Sequence, residues 1–251
     1  MSDDETRQVV RERYADAATD SCCGSEAADT AKAVGYDDSD IESVDGEANL
    51  GLGCGNPTAI AGLAAGETVL DLGSGGGFDC FLAGEAVGPD GQVVGVDMTP
   101  EMVEKARANA AENDAENVEF RLGEIEHLPV ADGTVDVIIS NCVINLSPAK
   151  GRVYAEAFRV LRPGGRVAVS DPVRVDALPE GVLDDPGSLA GCISGAEPPE
   201  THRQLLEDAG FVDVEITVDP DSSDAIDEWH DEYDLGGSLL SASIEARKPE
   251  N

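Results

Sequence analysis

Short apolar runs recur through the middle of the chain, and each ends on or just before a glycine, an acid or an asparagine. They are TVLDL (68–72), QVVGVD (92–97), NVEFRLG (117–123), VDVIISN (135–141) and GRVAVSD (165–171). Rich in Val and Ile and a few residues long, they predict strands. Between them the apolar positions change to helical spacing, in FDCFLAGEAV, EMVEKARANAAEN and SPAKGRVYAEAFRVL. The second helix is predicted from Pro100 with Thr99 as its N-cap. The third is predicted to start at Ser147 and Pro148 and to be stopped by RPGG. Regular alternation of strand and helix predicts an α/β fold with a doubly wound, mainly parallel sheet of the Rossmann-like kind.

The flanks read differently. Residues 3–18 predict a short amphipathic helix. Residues 19–50, rich in Asp, Ser and Gly, predict a loop or lid, and 174–198, rich in Pro and Gly, an irregular insertion over the sheet edge. A helix is expected over THRQLLEDAGF, and a closing hairpin from 212–218 and 238–247. The expected division is an N-terminal lid (1–50), a cofactor-binding core (51–173) and a C-terminal part carrying the insertion and closing strands (174–251).

Charge changes the picture of the surface. Among 251 residues there are 52 acidic and 16 basic, a formal net charge of −36, and only four lysines (Lys32, Lys105, Lys150, Lys248). Self-repulsion of this size weakens the compact state unless it is screened, and molar salt shortens the Debye length to about 3 Å. The low lysine content and spread acid resemble proteins of salt-accumulating halophiles, and folding is expected to depend on high salt. Binding to nucleic acid through a basic face is not expected. No apolar run reaches the roughly 18 residues that span a bilayer, so no membrane association is expected. The charged N-terminus lacks a signal's apolar stretch, so a cytoplasmic protein is expected.

DLGSGGG (71–77) lies between the first strand and the first helix. Glycines there let backbone approach a ligand, and Asp97, ending the second strand, is placed to bind a ribose diol. Dinucleotides and S-adenosylmethionine share this geometry. Asp71, leading the loop, would repel a pyrophosphate but suits the ammonium of a methionine moiety, which favours S-adenosylmethionine. GEIEHLP (123–129) follows the third strand and is expected near an adenine.

Six cysteines are too few and too scattered for a secreted disulfide scaffold. Cys54 (GLGCGNP), Cys142 (ISNCVINLSP) and Cys192 (GCISGA) each sit beside glycines or a turn and can reach the rim at the strands' carboxyl ends. Soft thiolates select thiophilic centres. Cys80 reads as core, and Cys22 and Cys23 as reachable redox partners or extra ligands. The histidines, His127, His202 and His230, form no triad-like pattern. A nucleophile with a lone pair and no proton needs no base.

Together, DLGSGGGFDC, GVDMTPEMVEKAR, NVEFRLGEIEHLPV, ISNCVINLSP and RVLRPGGRVAVSD strongly resemble the arsenite S-adenosylmethionine methyltransferases, over residues 20–215. The resemblance implies arsenic ligation by Cys142 and Cys192, with Cys54 a third ligand or redox cysteine and Cys22 or Cys23 a fourth. It implies cofactor contacts at Asp71, Gly73, Gly75, Asp97, Met98, Glu124 and Asn141. It further implies arsenite or thiol-bound arsenic as substrate, a thiol reductant such as thioredoxin, and a role in arsenic detoxification. The competing readings are an ordinary class I small-molecule methyltransferase, a non-catalytic arsenic-binding protein and an NAD-dependent oxidoreductase.

Overall fold

The computed structural model describes residues 2–19, 24–44, 47–182, 188, 192–227, 229, 233 and 235–250. Cys22, Cys23 and His230 lie outside the described residues. The centre is a seven-stranded sheet in the order β3-β2-β1-β4-β5-β7-β6. Its strands are β1 (Thr68–Leu72), β2 (Gln92–Asp97), β3 (Val118–Leu122), β4 (Val135–Asn141), β5 (Leu161–Arg174), β6 (Val212–Asp219) and β7 (Leu239–Arg247). The first five pair in parallel, and β7 lies antiparallel between β5 and β6. Strand order reverses between β1 and β4. Ligands of doubly wound sheets bind in the crevice outside the carboxyl ends at such a point.

Both faces are covered, as parallel strands require. Neighbouring residues point to opposite sides, so Leu70, Leu72, Ile138 and Val169 pack with α7 (Lys150–Val160) and α8 (Pro199–Ala209). Val69, Val93, Val137 and Ile139 pack on the other face with α5 (Phe78–Val87) and α6 (Pro100–Glu112). α1 (Asp3–Thr19) leans on α6, and the short α4 (Pro57–Ala61) lies against β4 and β5.

Four expectations change in detail. The stretch read as a loop over 19–50 contains α2 (Gly24–Ala33) and α3 (Asp38–Ser43), and Ala31, Tyr36 and Ala48 join the core. Alanines bury well but give a weak periodic signal. A capping box, Asp37 with Asp40, starts α3. β5 is longer than 165–171: Leu161 pairs with Val135 across a register shift, and Pro172–Arg174 pair with β7. α7 starts at Lys150, after a 3₁₀ turn over Ile144–Leu146, because Ser147 Oγ is bound to Glu126 (2.7 Å). Thr99 stands at the N-cap of α6, but its side chain makes no capping bond. Between β6 and β7 lies a short helix, α9 (Ser223–Asp227).

One buried pair gives a pH signature. His202 is fully buried; its Nδ1 lies 2.8 Å from the Tyr154 hydroxyl, and its Nε2 has no partner. Burial, aided by Lys150, lowers its pKa from 6.5 to about 4. Below pH 6.5 the unfolded chain binds the proton and the native one does not, so stability falls as pH drops towards 4. The expected contribution over that window is roughly 3 kcal/mol. Denaturant titrations of wild type and His202→Gln at several pH values check this: the difference between them should open between pH 6.5 and 4.

Candidate active site

The loop after β1 is held under the carboxyl end of β2. Gly73 and Ser74 donate backbone N–H bonds to Val96 O (2.7 and 3.1 Å). Gly73 and Gly75 have φ of +72° and +50°, a left-handed region that strains other residues. Any Cβ on Gly73 would run into Val143. Asp97 anchors the turn, its carboxylate accepting from Gly75 N (3.0 Å) and Thr99 N (2.8 Å).

A cleft opens above this loop. Asp71, Gly73, Gly75, Asp97, Met98 and Asn141 all line it, and α1 closes one side with Arg7, Val10 and Tyr14. Glu124 is not on this wall: it sits 3.9 Å from Arg7 and 3.5 Å from Arg11. Ile125 and Glu126 line the cleft instead, because the segment after β3 turns and does not alternate as a strand would.

The cleft's electrostatics bear on its ligand. Burial raises the pKa of Asp71, of Asp97 and of Asp79, the last to about 6. Asp79 also adds to the shift of Asp71, while hydrogen bonds from Tyr36 and Asn141 oppose that of Asp79. Among the described residues none of the three acids is ion-paired, and Arg7, the one cation on the wall, leans on Glu126 (3.4 Å). A pyrophosphate would meet like charge throughout. A cationic adenosyl ligand would meet acids, close-approach glycines and an unpartnered buried hydroxyl, Ser74 Oγ. The residues fit S-adenosylmethionine and not a dinucleotide.

Cys54, Cys142 and Cys192 do not line the cleft but cluster behind its wall, packed on Val10, Tyr14, Met98 and Leu146, which the cleft shares. Cys142 directly follows β4, Cys192 lies in the insertion after β5, and both adopt positive φ (56° and 62°). Such backbone costs of order 1–3 kcal/mol at a non-glycine residue and clusters at functional sites. Cys54 and Cys142 form a disulfide. The Cys192 thiol donates to Cys142 O (2.7 Å). All three are at least 96 % buried, walled by Val10, Tyr14, Leu146, Met98 and Trp229. Burial, reinforced by Asp171, pushes the Cys192 thiol well above its ordinary pKa, so it is held as a thiol.

Asn141 joins the two halves. Its Oδ1 accepts from Cys54 N (3.0 Å), and its Nδ2 donates to Gly55 O (2.8 Å), Tyr36 Oη (3.0 Å) and Asp79 Oδ2 (3.3 Å). A Cβ on Gly53 would lie 2.6 Å from Asn141 Nδ2. Gly53→Ala should displace this hub and weaken S-adenosylmethionine binding by ~10-fold or more, since misplacement by about 1 Å can cost 100-fold in an active site. Calorimetric titration checks this.

Several site residues escaped the sequence reading. Asp171, on β5, accepts from Ile144 N and Asn145 Nδ2 (both 2.8 Å), and burial raises its pKa to about 7. Its signal was present: like Asp71 and Asp97, it is an acid ending an apolar run. Tyr36 and Asp79 had no such mark. Cys80 is fully buried, as a core residue should be, yet its thiol donates to Asp71 Oδ2 (3.2 Å). His127 is exposed, and Asp136 pairs with Arg162 away from the cleft.

Known proteins resemble this chain in sequence and fold. The Methyltransferase domain family matches residues 63–210. An arsenite methyltransferase of Halobacterium salinarum is 56 % identical, over 98 % of this chain and 67 % of that protein. One from Aquipseudomonas alcaligenes is 41 % identical, over 66 % of this chain and 50 % of its own length. The chain thus spans between half and two thirds of these curated relatives. The crystal structure of an arsenic(III) S-adenosylmethionine methyltransferase from Chlamydomonas reinhardtii superposes with a TM-score of 0.64 at 33 % identity, covering 88 % of this chain and 73 % of that one. With more than half of the chain matched by the methyltransferase model and 56 % identity over nearly all of it to an arsenite methyltransferase, the chain belongs to the arsenite methyltransferase family of S-adenosylmethionine-dependent enzymes.

Proposed function

We propose that this protein transfers a methyl group from S-adenosylmethionine to trivalent arsenic held by cysteine sulfur, in the service of arsenic detoxification. One observation carries the reading: Cys54, Cys142 and Cys192 gather in a buried cluster that shares Asn141 and Met98 with the cofactor cleft. Asp71 would hold the methionine ammonium, Asp97 the ribose diol, and Gly73 and Gly75 would admit the ligand to backbone distance. When bound there, S-adenosylmethionine supplies an electrophilic methyl group that a lone pair accepts without a base.

The chain's own residues do the rest. The Cys54–Cys142 disulfide is the oxidised state. A dithiol such as a thioredoxin gives it two electrons and two protons, leaving two thiols and becoming a disulfide itself. Arsenite then exchanges its hydroxides for sulfur. Each new As–S bond releases a water that carries off the cysteine proton. Three thiolates hold arsenic as a pyramid whose lone pair is free to face the cleft, and holding it there supplies much of the rate. As that pair takes the methyl, the sulfonium S–CH3 bond breaks, S-adenosylhomocysteine leaves, and arsenic becomes formally pentavalent. Two thiolates, Cys54 and Cys142, return two electrons as they leave as a disulfide; a water adds its hydroxide to arsenic and releases a proton, leaving trivalent methylarsenic on Cys192.

The remaining parts support this reading. The N-terminal part closes the cleft through α1, and the C-terminal part delivers Cys192. Cys22 and Cys23, outside the described residues, are candidates for relaying the disulfide outward. Among the described residues no helix is long and apolar enough to cross a membrane. A reducing cytoplasm suits a cycle that begins with thiols, and the acid-rich surface suits a salt-accumulating cell. The test is product speciation after incubation with arsenite, labelled S-adenosylmethionine and a dithiol at high salt. Labelled methylarsenical is expected. Arsenite bound with no methylated product would leave a sequestering protein, and methylation of small molecules alone would leave an ordinary methyltransferase.

A further inference from the structure

The donor atoms of Cys142, Asp171 and Cys192 all lie within 4.8 Å of one another, and all three residues are buried. They come from the end of β4, from β5 and from the insertion after β5. The arsenic chemistry proposed above uses the sulfurs and leaves the carboxylate without a part. Yet Asp171 is aimed at them, held by Ile144 N and Asn145 Nδ2. Once the disulfide is reduced, Cys54 adds a third sulfur beside Cys142.

Three thiolates and one carboxylate make a donor set that trivalent arsenic does not need. Its three charges are cancelled by three thiolates, and its lone pair occupies the fourth direction. A divalent ion of the zinc group has no lone pair there and takes four donors in a tetrahedron, sulfur and carboxylate oxygen among them. We propose that the reduced cysteine pocket is also a binding site for a thiophilic divalent cation, cadmium or zinc, that takes Asp171 as its oxygen ligand and competes with arsenite. Binding is simple exchange: the cation gives up waters, the thiols give up protons, and no electrons move.

The inference shares its thiols with the arsenic reading but not the methyl transfer. The test is made on the reduced full-length protein, at high salt, without free thiol. Cadmium chloride is titrated while the thiolate-to-cadmium absorption band is followed, and X-ray absorption at the cadmium edge gives the ligand shell. One cadmium per chain with a mixed sulfur and oxygen shell is expected. Asp171→Asn should weaken cadmium at least ~100-fold, the upper end of what losing a mere supporting group costs a metal site, and leave arsenite affinity within about threefold. An all-sulfur shell in the wild type overturns the proposal without any variant. So does an Asp171→Asn protein that binds cadmium like wild type, or that loses arsenite in parallel. A protein that methylates arsenite but ignores cadmium defeats only this inference. One that binds cadmium and yields no methylarsenical defeats only the earlier one.

Discussion

Cys142→Ser and Cys192→Ser are each expected to lose arsenite methylation by more than ~100-fold, beyond what the loss of a supporting group costs a metal site. Serine keeps the shape and removes the soft donor, so it separates ligation from packing. The buried setting sharpens the contrast. If these thiols were only small core residues, serine would find polar partners already in place, Cys142 O among them for residue 192, and turnover would hardly change. S-adenosylmethionine binding should survive in both variants, because the loop at Gly73–Gly75 and Asp97 is untouched. Cys80→Ser should be mild, since a hydroxyl also donates to Asp71. Assays belong in reducing buffer. In air the wild type gains a disulfide across 88 residues, worth up to ~4–5 kcal/mol by loop entropy, and stability would then blur the comparison. Turnover near wild type in either serine variant would end the arsenic reading.

The second large effect is on stability. Even with every Lys and Arg paired, an excess of 36 acidic charges remains. The ion pairs observed are mostly at the surface, such as Arg121–Glu119 and Arg159–Asp132, and exposed pairs contribute about 0–1 kcal/mol each. They do not offset the repulsion. Between 0.01 M and 1 M salt the Debye length falls from about 30 to 3 Å, which silences most of it. The melting temperature is expected to rise by ~10 °C or more over that range, equivalent to roughly 3–5 kcal/mol for a chain of this size. Scanning calorimetry in potassium chloride measures it. A flat response would refute the salt requirement and leave the acid as a matter of solubility alone.

The central fold was legible because its strands announce themselves twice, by an apolar run and by the residue that ends it. Leu70 and Val94 are buried with their neighbours on both faces, so the runs are continuous, and Asp71, Asp97 and Asn141 mark where backbone leaves the sheet for the cleft. α2 and α3 were not legible, because their buried positions are alanines or nearly absent. Chain order put Cys142 at the end of β4, where it stands, and left Cys192 free to reach it; the two lie in one cluster. That Cys54 bonds to Cys142 could not be read, since a separation of 88 residues fixes no partner. The resemblance implied a cofactor contact at Glu124, but Ile125 and Glu126 line the cleft, because a resemblance in a turn does not say which side chain faces inward.

Cys142 stands in both the disulfide and the group of donors around Asp171. One sulfur cannot serve both at once. On the proposed mechanism, an oxidised molecule would load its methyl donor and still be idle towards arsenic. In a cell flooded with the metalloid but starved of reductant, throughput would be metered by the supply of electrons and not by the amount of poison.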